Sequence, residues 1–459
     1  MKDFLDLNNQ VDGGVGMEEP FQPLSEESLN TKLAGWYGEE KLLMSNKSDA
    51  KEVISSFKPF FEGKKVKIIV IGGTNGKGET AHRLDALLRR EGLKTALWTS
   101  PHILSLRERF LFHGKQVSYD ILNQWLDSCR ESCLENGWSL SYYEFLFLVF
   151  CKLSLSIEKS KGLDVILLEV GLGGRLDAVN FLGPDLTAIC SLSRDHQGIL
   201  GNSLKDILNE KLGISRSQVP LVTGFELDWL QSQTQKFSRE KNVPYYDLFK
   251  MGYLKKSDHY VFRNKVMAYF LKEAFCLGSQ NKSFETLSPV TLRKDVNDDT
   301  FSDFTGGKGR FEKWSLDQKN EVLFVGAHNI DGIRKLTKAL TGTFFDHVLL
   351  SFSKRNKKDI LDSLSHLATY PCLYKRISLT FFDHEKAWKK EADMSEKGED
   401  QVLKLCDALD IKVLSNLKES LDYIFRKKAF GKQTEGQRTL ITGSYYFIGE
   451  VQKILLSNM

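Results

Sequence analysis

Long apolar runs and paired cysteines are both missing from the sequence. The longest apolar stretches, such as FLFLVF at residues 145–150, are far shorter than the roughly 20 residues needed to cross a bilayer. The seven cysteines are scattered and none has CxxC spacing, which argues against a disulfide framework or a zinc site. These absences predict a protein of a reducing compartment with no membrane span.

An excess of charge of one sign is also missing. The net charge is +4, from 64 basic and 60 acidic residues, so the balance predicts neither a nucleic acid nor a membrane surface as a partner. The opening residues, MKDFLDLNNQ, lack the apolar core of a signal peptide. We therefore expect a cytoplasmic protein.

The 459 residues do contain two successive alternations of strands and helices. Residues 1–35 are polar, and we expect a disordered or loosely attached tail up to about residue 30. The first alternation lies within residues 36–298 and starts with the apolar strand VKIIVI at 66–71, and the second lies within 299–459. Such alternation predicts an α/β fold in which a mostly parallel sheet is covered on both faces.

The segment GGTNGKGET at 72–80 directly follows that first strand. A strand that leads into a glycine-rich turn and then a helix lets backbone N–H groups converge, and the helix dipole and Lys77 add positive charge. The segment departs from GxxxxGK[ST], because Ile71 replaces the first glycine and Gly78-Glu79 follow the lysine. The pattern predicts phosphate binding, with a plain glycine turn and a surface lysine as the alternative.

Three later stretches place chemically active side chains just after predicted strands. They are TSPHILSLRERF (99–110) with Ser100, LLEVGLGGRLDAVN (167–180) with Glu169, and SLSRDHQGILG (191–201) with His196. Lys211 follows on a predicted helix. Taken singly, each residue also has a plain structural explanation, as a cap, a turn histidine or a solvated charge. Together, a serine, a carboxylate and a histidine beside a phosphate loop fit a site for a hard cation.

The order of these motifs resembles the folylpolyglutamate synthase/dihydrofolate synthase family of the Mur ligase superfamily. The family's GTNGKGS, LEVGLGGRLDATN, EKAGI, GRFE, GAHN and TGS stretches correspond here to GTNGKGE, LEVGLGGRLDAVN, EKLGI, GRFE (309–312), GAHN (326–329) and TGS (442–444). The likeness runs in order from about residue 66 to 451, and LEVGLGGRLDA is too long to be a chance match. It implies a P-loop-type ATP-binding domain with a mostly parallel sheet, followed by a smaller Rossmann-like α/β ligase domain.

The resemblance also implies a role for each matching residue. The phosphate loop that would hold ATP comprises Gly73, Thr74, Asn75, Gly76, Lys77, Gly78, Glu79 and Thr80. Asn264 and Arg310 would contact ATP from the far side of the cleft, and His328 would face the nucleotide from the second domain. Magnesium, at one or two sites, would be bound by Ser100, Glu169 and His196. Lys211 corresponds to a lysine that the family carbamylates. The pteroate pocket would be lined by Ser141, Tyr142, Tyr143, Glu144, Arg175, Leu176, Asp177 and Ala178.

The activity that the resemblance implies is an ATP-dependent ligation in folate biosynthesis and one-carbon metabolism. A monomeric, cytoplasmic enzyme would phosphorylate the carboxylate of dihydropteroate, of a folate, or of both, and L-glutamate would displace phosphate from the acyl phosphate. The catalytic set would be Glu169, His196, Lys211, Arg310 and His328. Two alternatives stay open, namely another Mur-type amino-acid ligase and a non-catalytic family member that binds nucleotide or folate weakly.

Two residues depart from the family pattern. Glu79 stands where the family has serine or threonine, and Val325 stands where an aspartate binds the nucleotide. A carboxylate beside a triphosphate is repulsive, so we expect Glu79 to turn toward solvent or toward magnesium and to weaken ATP binding without abolishing it. On this reasoning Glu79→Ser should tighten ATP.

Overall fold

The chain divides into two compact units, residues 1–302 and 303–459. The computed structural model describes residues 20–37, 47–194, 197–279, 287–298, 307–317, 320–384, 387–388, 401–425 and 437–457. Within these ranges no helix is long and apolar enough to cross a membrane. Both units are built from alternating strands and helices, which confirms the predicted α/β class.

The first unit is organised around a mostly parallel sheet. Its described strands are β1 (Lys67–Gly72), β2 (Thr95–Trp98), β3 (Leu111–Phe112), β4 (Lys115–Gln116), β5 (Val165–Glu169), β6 (Leu186–Ile189), β7 (Leu221–Thr223) and β8 (Tyr245–Asp247). They lie in the order β4-β3-β2-β5-β1-β6-β7-β8, with antiparallel pairing only at β2–β3 and β3–β4 among these strands. The carboxyl ends of β5, β1 and β6 therefore lie side by side at one edge.

Helices cover both faces of this sheet. They are α1 (Pro23–Tyr37), α2 (Lys47–Ser55), α3 (Lys58–Gly63), α4 (Lys77–Arg90), α5 (Tyr119–Asn136), α6 (Tyr142–Lys161), α7 (Gln197–Leu200), α8 (Leu204–Leu212), α9 (Asp228–Glu240), α10 (Tyr260–Ser279) and α11 (Pro289–Asp298). Alternate residues of β1 explain the arrangement, because Ile68 and Val70 join the core that contains α6. Ile69 and Ile71 join the core that contains α4 and α10. A strand that is apolar on both faces is the pattern of a central parallel strand.

The expected tail contains an ordered helix, so the prediction of disorder up to about residue 30 is wrong from Pro23 onward. Leu29, Leu33 and Tyr37 recur at four-residue spacing and are buried in the core beside α6. This spacing places them on one helical face, and tertiary packing outweighs the polar local composition. Residues 1–19 lie outside the described residues.

The second unit holds a second sheet. Its described strands are β9 (Arg310–Ser315), β10 (Glu321–Val325), β11 (His347–Ser351), β12 (Ile377–Thr380), β13 (Lys412–Leu414) and β14 (Arg438–Gly443), in the order β13-β12-β11-β14-β10-β9. Only β9 pairs antiparallel among these strands. Its described helices are α12 (Ile330–Ala339), α13 (Lys357–Ala368), α14 (Gln401–Ala408), α15 (Leu417–Phe425) and α16 (Tyr445–Ser457). The predicted smaller Rossmann-like arrangement is thus present.

Candidate active site

The glycine loop connects the end of β1 to the start of α4. Gly73 has φ +138° and Gly76 has φ +90°, values that favour glycine. A Cβ at Gly73 would lie 3.1 Å from the backbone nitrogen of Ser191, so the loop also has to pass close to the end of β6. The turn therefore presents the first N–H groups of α4, which have no partner within the helix, at the carboxyl edge of the sheet.

Hydrogen bonds hold the loop against the segment after β6. The Thr74 N–H donates to the Ser191 carbonyl at 2.8 Å, and the Ser193 N–H donates to Thr74 Oγ1 at 3.1 Å. The Asn75 N–H donates to Ser191 Oγ at 3.1 Å. Thr74 and Asn75 thus use their N–H groups to fix the loop, and an anion would meet the N–H groups that follow, from Gly76 into α4.

Two lysines bond to consecutive carbonyls of the loop. Lys77 Nζ donates to the Thr74 carbonyl at 3.2 Å, and Lys211 Nζ, carried by α8, donates to the Gly73 carbonyl at 2.9 Å. Lys211 is only 4% exposed. The structure therefore brings Lys211 to the loop from a position far along the chain.

A carboxylate and a serine meet beside the loop. Glu169 ends β5, next to Ile71 of β1 in register, and its Oε2 accepts the Ser100 N–H at 3.0 Å. Both residues are buried. Serine and carboxylate oxygens suit a hard divalent cation. His196, the third predicted ligand, lies outside the described residues, and no group of three histidine, cysteine, aspartate or glutamate side chains poised to bind a metal occurs in the described part of the chain.

Glu79 does not face solvent, which corrects the expectation from the sequence. Its side chain is buried between α4 and α10, where Oε1 accepts from Arg83 Nε at 3.2 Å and Oε2 accepts from Asn264 Nδ2 at 2.8 Å. The resemblance implied that Asn264 contacts ATP from the far side of the cleft. Asn264 is on α10 within the same unit, and its amide lies directly against Gly76. Thr80 is buried behind the loop, where it accepts from Cys190 Sγ.

The predicted pteroate residues include two hydrogen-bonded pairs. Tyr143 and Asp177 share a hydrogen bond of 3.2 Å, and Trp98 Nε1 donates to the Tyr143 hydroxyl, also at 3.2 Å. Burial raises the pKa of the Asp177 carboxyl and of the Tyr143 hydroxyl. Ser141 and Glu144 instead form the capping box that starts α6, a structural task.

The remaining members of this set point to different surroundings. Arg175 forms an ion pair with Glu210 of α8 at 2.9 Å, whereas Leu176 is 46% exposed and Ala178 is buried. Tyr142 is partly buried and faces a cation that was not predicted, since the Arg109 guanidinium lies 6.0 Å from its ring centre. The RER triplet in the sequence was the available signal for Arg109.

In the second unit, one aromatic ring links two predicted site residues. The Tyr445 ring lies 5.5 Å from the Arg310 guanidinium and 5.5 Å from the His328 ring. A Cβ at Gly326 would lie 2.1 Å from the Tyr445 ring, so this position requires glycine. Val325 ends β10 in register with Arg310. Tyr445 was missed, although it directly follows the TGS motif.

Comparison with known proteins supports this arrangement along nearly the whole chain. The dihydrofolate synthase/folylpolyglutamate synthase of Bacillus subtilis (strain 168) is 26% identical over 412 residues, which are 85% of this chain and 91% of that protein. The chain is thus similar, over most of its length, to a folylpolyglutamate synthase/dihydrofolate synthase. A scan against protein-family profiles finds no match.

Solved structures of the family share the fold. E. coli FolC in complex with DHPP and ADP matches with a TM-score of 0.68 at 20% identity, over 94% of this chain and 98% of that one. A bifunctional folylpolyglutamate synthase/dihydrofolate synthase with Mn, AMPPNP and L-glutamate bound matches with a TM-score of 0.68 at 22% identity, over the same shares. The fold of this chain is therefore shared with these structures.

Proposed function

We propose that the chain is an ATP-dependent ligase that joins L-glutamate to dihydropteroate, to a folate, or to both, through an acyl phosphate. The observation that carries the proposal is the convergence of Lys77, Lys211 and Glu169 on one glycine loop at the carboxyl ends of adjacent strands. Family relatives carry both activities in their names, and related structures hold ADP, AMPPNP and L-glutamate.

The loop and its lysines would bind and orient the triphosphate. The positive end of the α4 dipole and the Lys77 ammonium favour negative charge at this place, and charge on a transferring phosphoryl group is what such sites stabilise. Because Ser191 and Ser193 fix the loop, little of its conformational entropy remains to be lost on binding. We propose residues 36–298 as the ATP-binding domain and 299–459 as the ligase domain, in which Arg310 and His328 contact the nucleotide.

Magnesium fits the oxygen atoms that this edge of the sheet presents. Ser100 and Glu169 would hold it, with His196 as the third ligand. Bound there, the cation would neutralise charge on the phosphates and polarise the transferring group. Glu169 would otherwise place an anion next to a triphosphate, and a bound cation would offset that repulsion.

Carbamylation of Lys211 would remove a cation from a place that magnesium needs. A neutral lysine amine that adds CO₂ and releases one proton becomes a carbamate. It keeps one N–H, which can still donate to the Gly73 carbonyl, and gains two oxygens that can orient a cation or an amine. We expect an added mass of about one carboxyl group at Lys211 under native conditions. Lys211→Ala should abolish activity, with partial rescue by short carboxylic acids, whereas Lys205→Ala on the exposed side of α8 should not.

The partly buried Tyr143 and the buried Asp177 would form one wall of the substrate pocket. Asp177 has its oxygens occupied by the N–H groups of Leu172 and Val179 and by the Tyr143 hydroxyl. The carboxyl group thereby fixes the GGRLDA loop, and Tyr143 is held in a single orientation. We propose that a pteridine or its benzoyl arm packs near the Tyr143 ring.

The deciding experiment measures phosphate release from ATP by the full chain. Release should require both L-glutamate and dihydropteroate or a folate, and mass spectrometry should show the glutamylated product. Turnover with another amino acid and no pterin substrate would point to a different Mur-type ligase. ATP binding without turnover under any pairing of substrates would favour the non-catalytic alternative.

A further inference from the structure

Glu79, Arg83 and Asn264 form a buried polar cluster beside the phosphate loop. Their exposed fractions are 3%, 8% and 6%, and the cluster joins α4 to α10. The carboxylate accepts from Arg83 Nε at 3.2 Å and from Asn264 Nδ2 at 2.8 Å. A Cβ at Gly76 would lie 2.4 Å from Asn264 Oδ1. The amide oxygen therefore packs against Gly76, the last loop residue before α4.

The chemistry of a carboxylate fixes which way the Asn264 amide points. An ionised carboxylate only accepts hydrogen bonds, so Asn264 has to present its NH₂ group to Glu79 and its oxygen to the loop. The reverse orientation would bring two acceptors together in a buried place. A serine or threonine hydroxyl, which both donates and accepts, would allow either orientation.

An amide oxygen that faces Gly76 limits what Asn264 can bind. It cannot bond a phosphate oxygen, because both atoms are acceptors. Once the phosphates are ionised, the donors of ATP are the 6-amino group of the base and the ribose hydroxyls. A hydroxyl can pair with either end of an amide, whereas the amino group requires the oxygen. A fixed amide orientation therefore determines whether Asn264 can accept a hydrogen bond from the 6-amino group of the base.

We propose that Glu79 is a positioning residue that holds the Asn264 amide so that the nucleotide site selects a base with an amino group at C6. This inference rests on the proposed ATP-dependent function. A site that offers a buried acceptor discriminates against a ligand that brings another acceptor, as the 6-oxo group of inosine or guanosine triphosphate does. The departure at Glu79 then adds base selectivity to the loop and does not impair it.

Glu79→Gln tests the orientation without changing the shape. The glutamine oxygen can still accept from Arg83, and its NH₂ group then faces Asn264, whose amide has to turn and present its NH₂ group to the loop. The KM for ATP should rise about five- to tenfold, the worth of one hydrogen bond, while the KM for inosine triphosphate stays level or falls. The ratio of kcat/KM for ATP to kcat/KM for inosine triphosphate should therefore fall.

Matched variants separate positioning from general damage. Glu79→Gln combined with Asn264→Asp returns an acceptor to the loop and should recover the preference for ATP. Asn264→Ser keeps the Glu79–Arg83 pair and should lower the same ratio. Glu91→Gln is the control, because Glu91 also bridges α4 and α10, through Lys272 at 3.2 Å, but stands at the far end of the helix from the loop. It should leave the ratio unchanged.

The outcomes for this inference and for the proposed function can be told apart. If the wild type ligates glutamate equally well with ATP and inosine triphosphate, or if Glu79→Gln leaves the ratio unchanged, the positioning role is refuted and the ligase activity stands. If the wild type ligates nothing, calorimetric binding of the two nucleotides tests the positioning role alone. Equal affinities would refute it, as would binding of neither nucleotide.

Discussion

Replacing Glu79 by serine, a residue type that the family carries at this position, should destabilise the first unit. The serine hydroxyl is too short to replace the carboxylate that accepts from Arg83 and Asn264. Removing one partner of a buried ion pair typically costs about 3–5 kcal/mol. The pair here has one N–H at 3.2 Å, and the Arg83 side chain keeps 9% exposure, so we expect the low end, about 3 kcal/mol.

Urea unfolding of the full chain, followed by circular dichroism and tryptophan fluorescence, measures this loss. Glu240→Ser is the matched control, because Lys236 and Glu240 have the same i,i+4 spacing but are 72% and 58% exposed, and such a pair contributes less than about 1 kcal/mol. The double variant Glu79→Ser/Arg83→Ser should recover part of the loss, since the buried cation has gone too. A Glu79→Ser protein as stable as the wild type would refute the reasoning.

The same variant reverses an expectation drawn from the sequence. A serine at position 79 was expected to relieve repulsion and tighten ATP. The structure turns the carboxylate away from the loop and onto Asn264, so we now expect the KM for ATP to rise in Glu79→Ser. A lower KM would show that repulsion dominates after all.

Three further predictions follow from single buried groups. Glu169→Gln keeps the side-chain shape but removes the charge, so magnesium-dependent phosphate release should fall by orders of magnitude with urea unfolding unchanged; wild-type turnover would contradict a ligand role. Burial lowers the pKa of His347 to about 4, and an unfolded histidine titrates near 6.5. The unfolded chain therefore takes up this proton first, and stability present above pH 6.5 should be lost toward pH 4, by up to roughly 3 kcal/mol. His347→Gln should remove this pH dependence of the free energy of unfolding. If the dependence is unchanged, a group other than His347 causes it. Glu26→Ala removes the acceptor of two buried hydrogen bonds from residues 105–106 and should cost about 2 kcal/mol in urea unfolding, against less than about 0.5 kcal/mol for exposed Glu27→Ala.

The fold and the central strands could be predicted because their signals are local. The run VKIIVI is apolar on both faces, and two of the glycines that follow it adopt positive φ. Neighbouring residues in the sequence therefore predict both the strand and the loop. The position of Glu169 could be predicted for a similar reason, because this residue ends a buried strand next to β1. Parallel strands bring their carboxyl ends to one edge, which made the meeting of Ser100 and Glu169 a consequence of topology.

The surroundings of Glu79 could not be predicted, because they depend on a helix some 185 positions away in the sequence. Arg83 is four residues along α4, so this half of the cluster was readable from i,i+4 spacing. Only the resemblance to the family implied a ligand contact for Asn264, and no periodicity of the sequence places its side chain against Gly76. The expectation for Glu79 was wrong because the sequence offers solvent and a metal as partners for a carboxylate at the start of a helix, but does not show that α10 packs beside it.

The N-terminal helix α1 is a second case in which the sequence did not predict a buried carboxylate. Its local composition is polar, yet Glu26 reaches into the turn after β2 and accepts from Ser105 Oγ and the Leu106 N–H, both at 2.7 Å. Glu108 accepts three further N–H groups of that turn, from Ile103 to Ser105. Two buried carboxylates thus organise the segment that carries Ser100. A polar stretch of sequence can therefore support a site without any apolar signal, because its contribution is to satisfy backbone N–H groups that would otherwise be costly to bury.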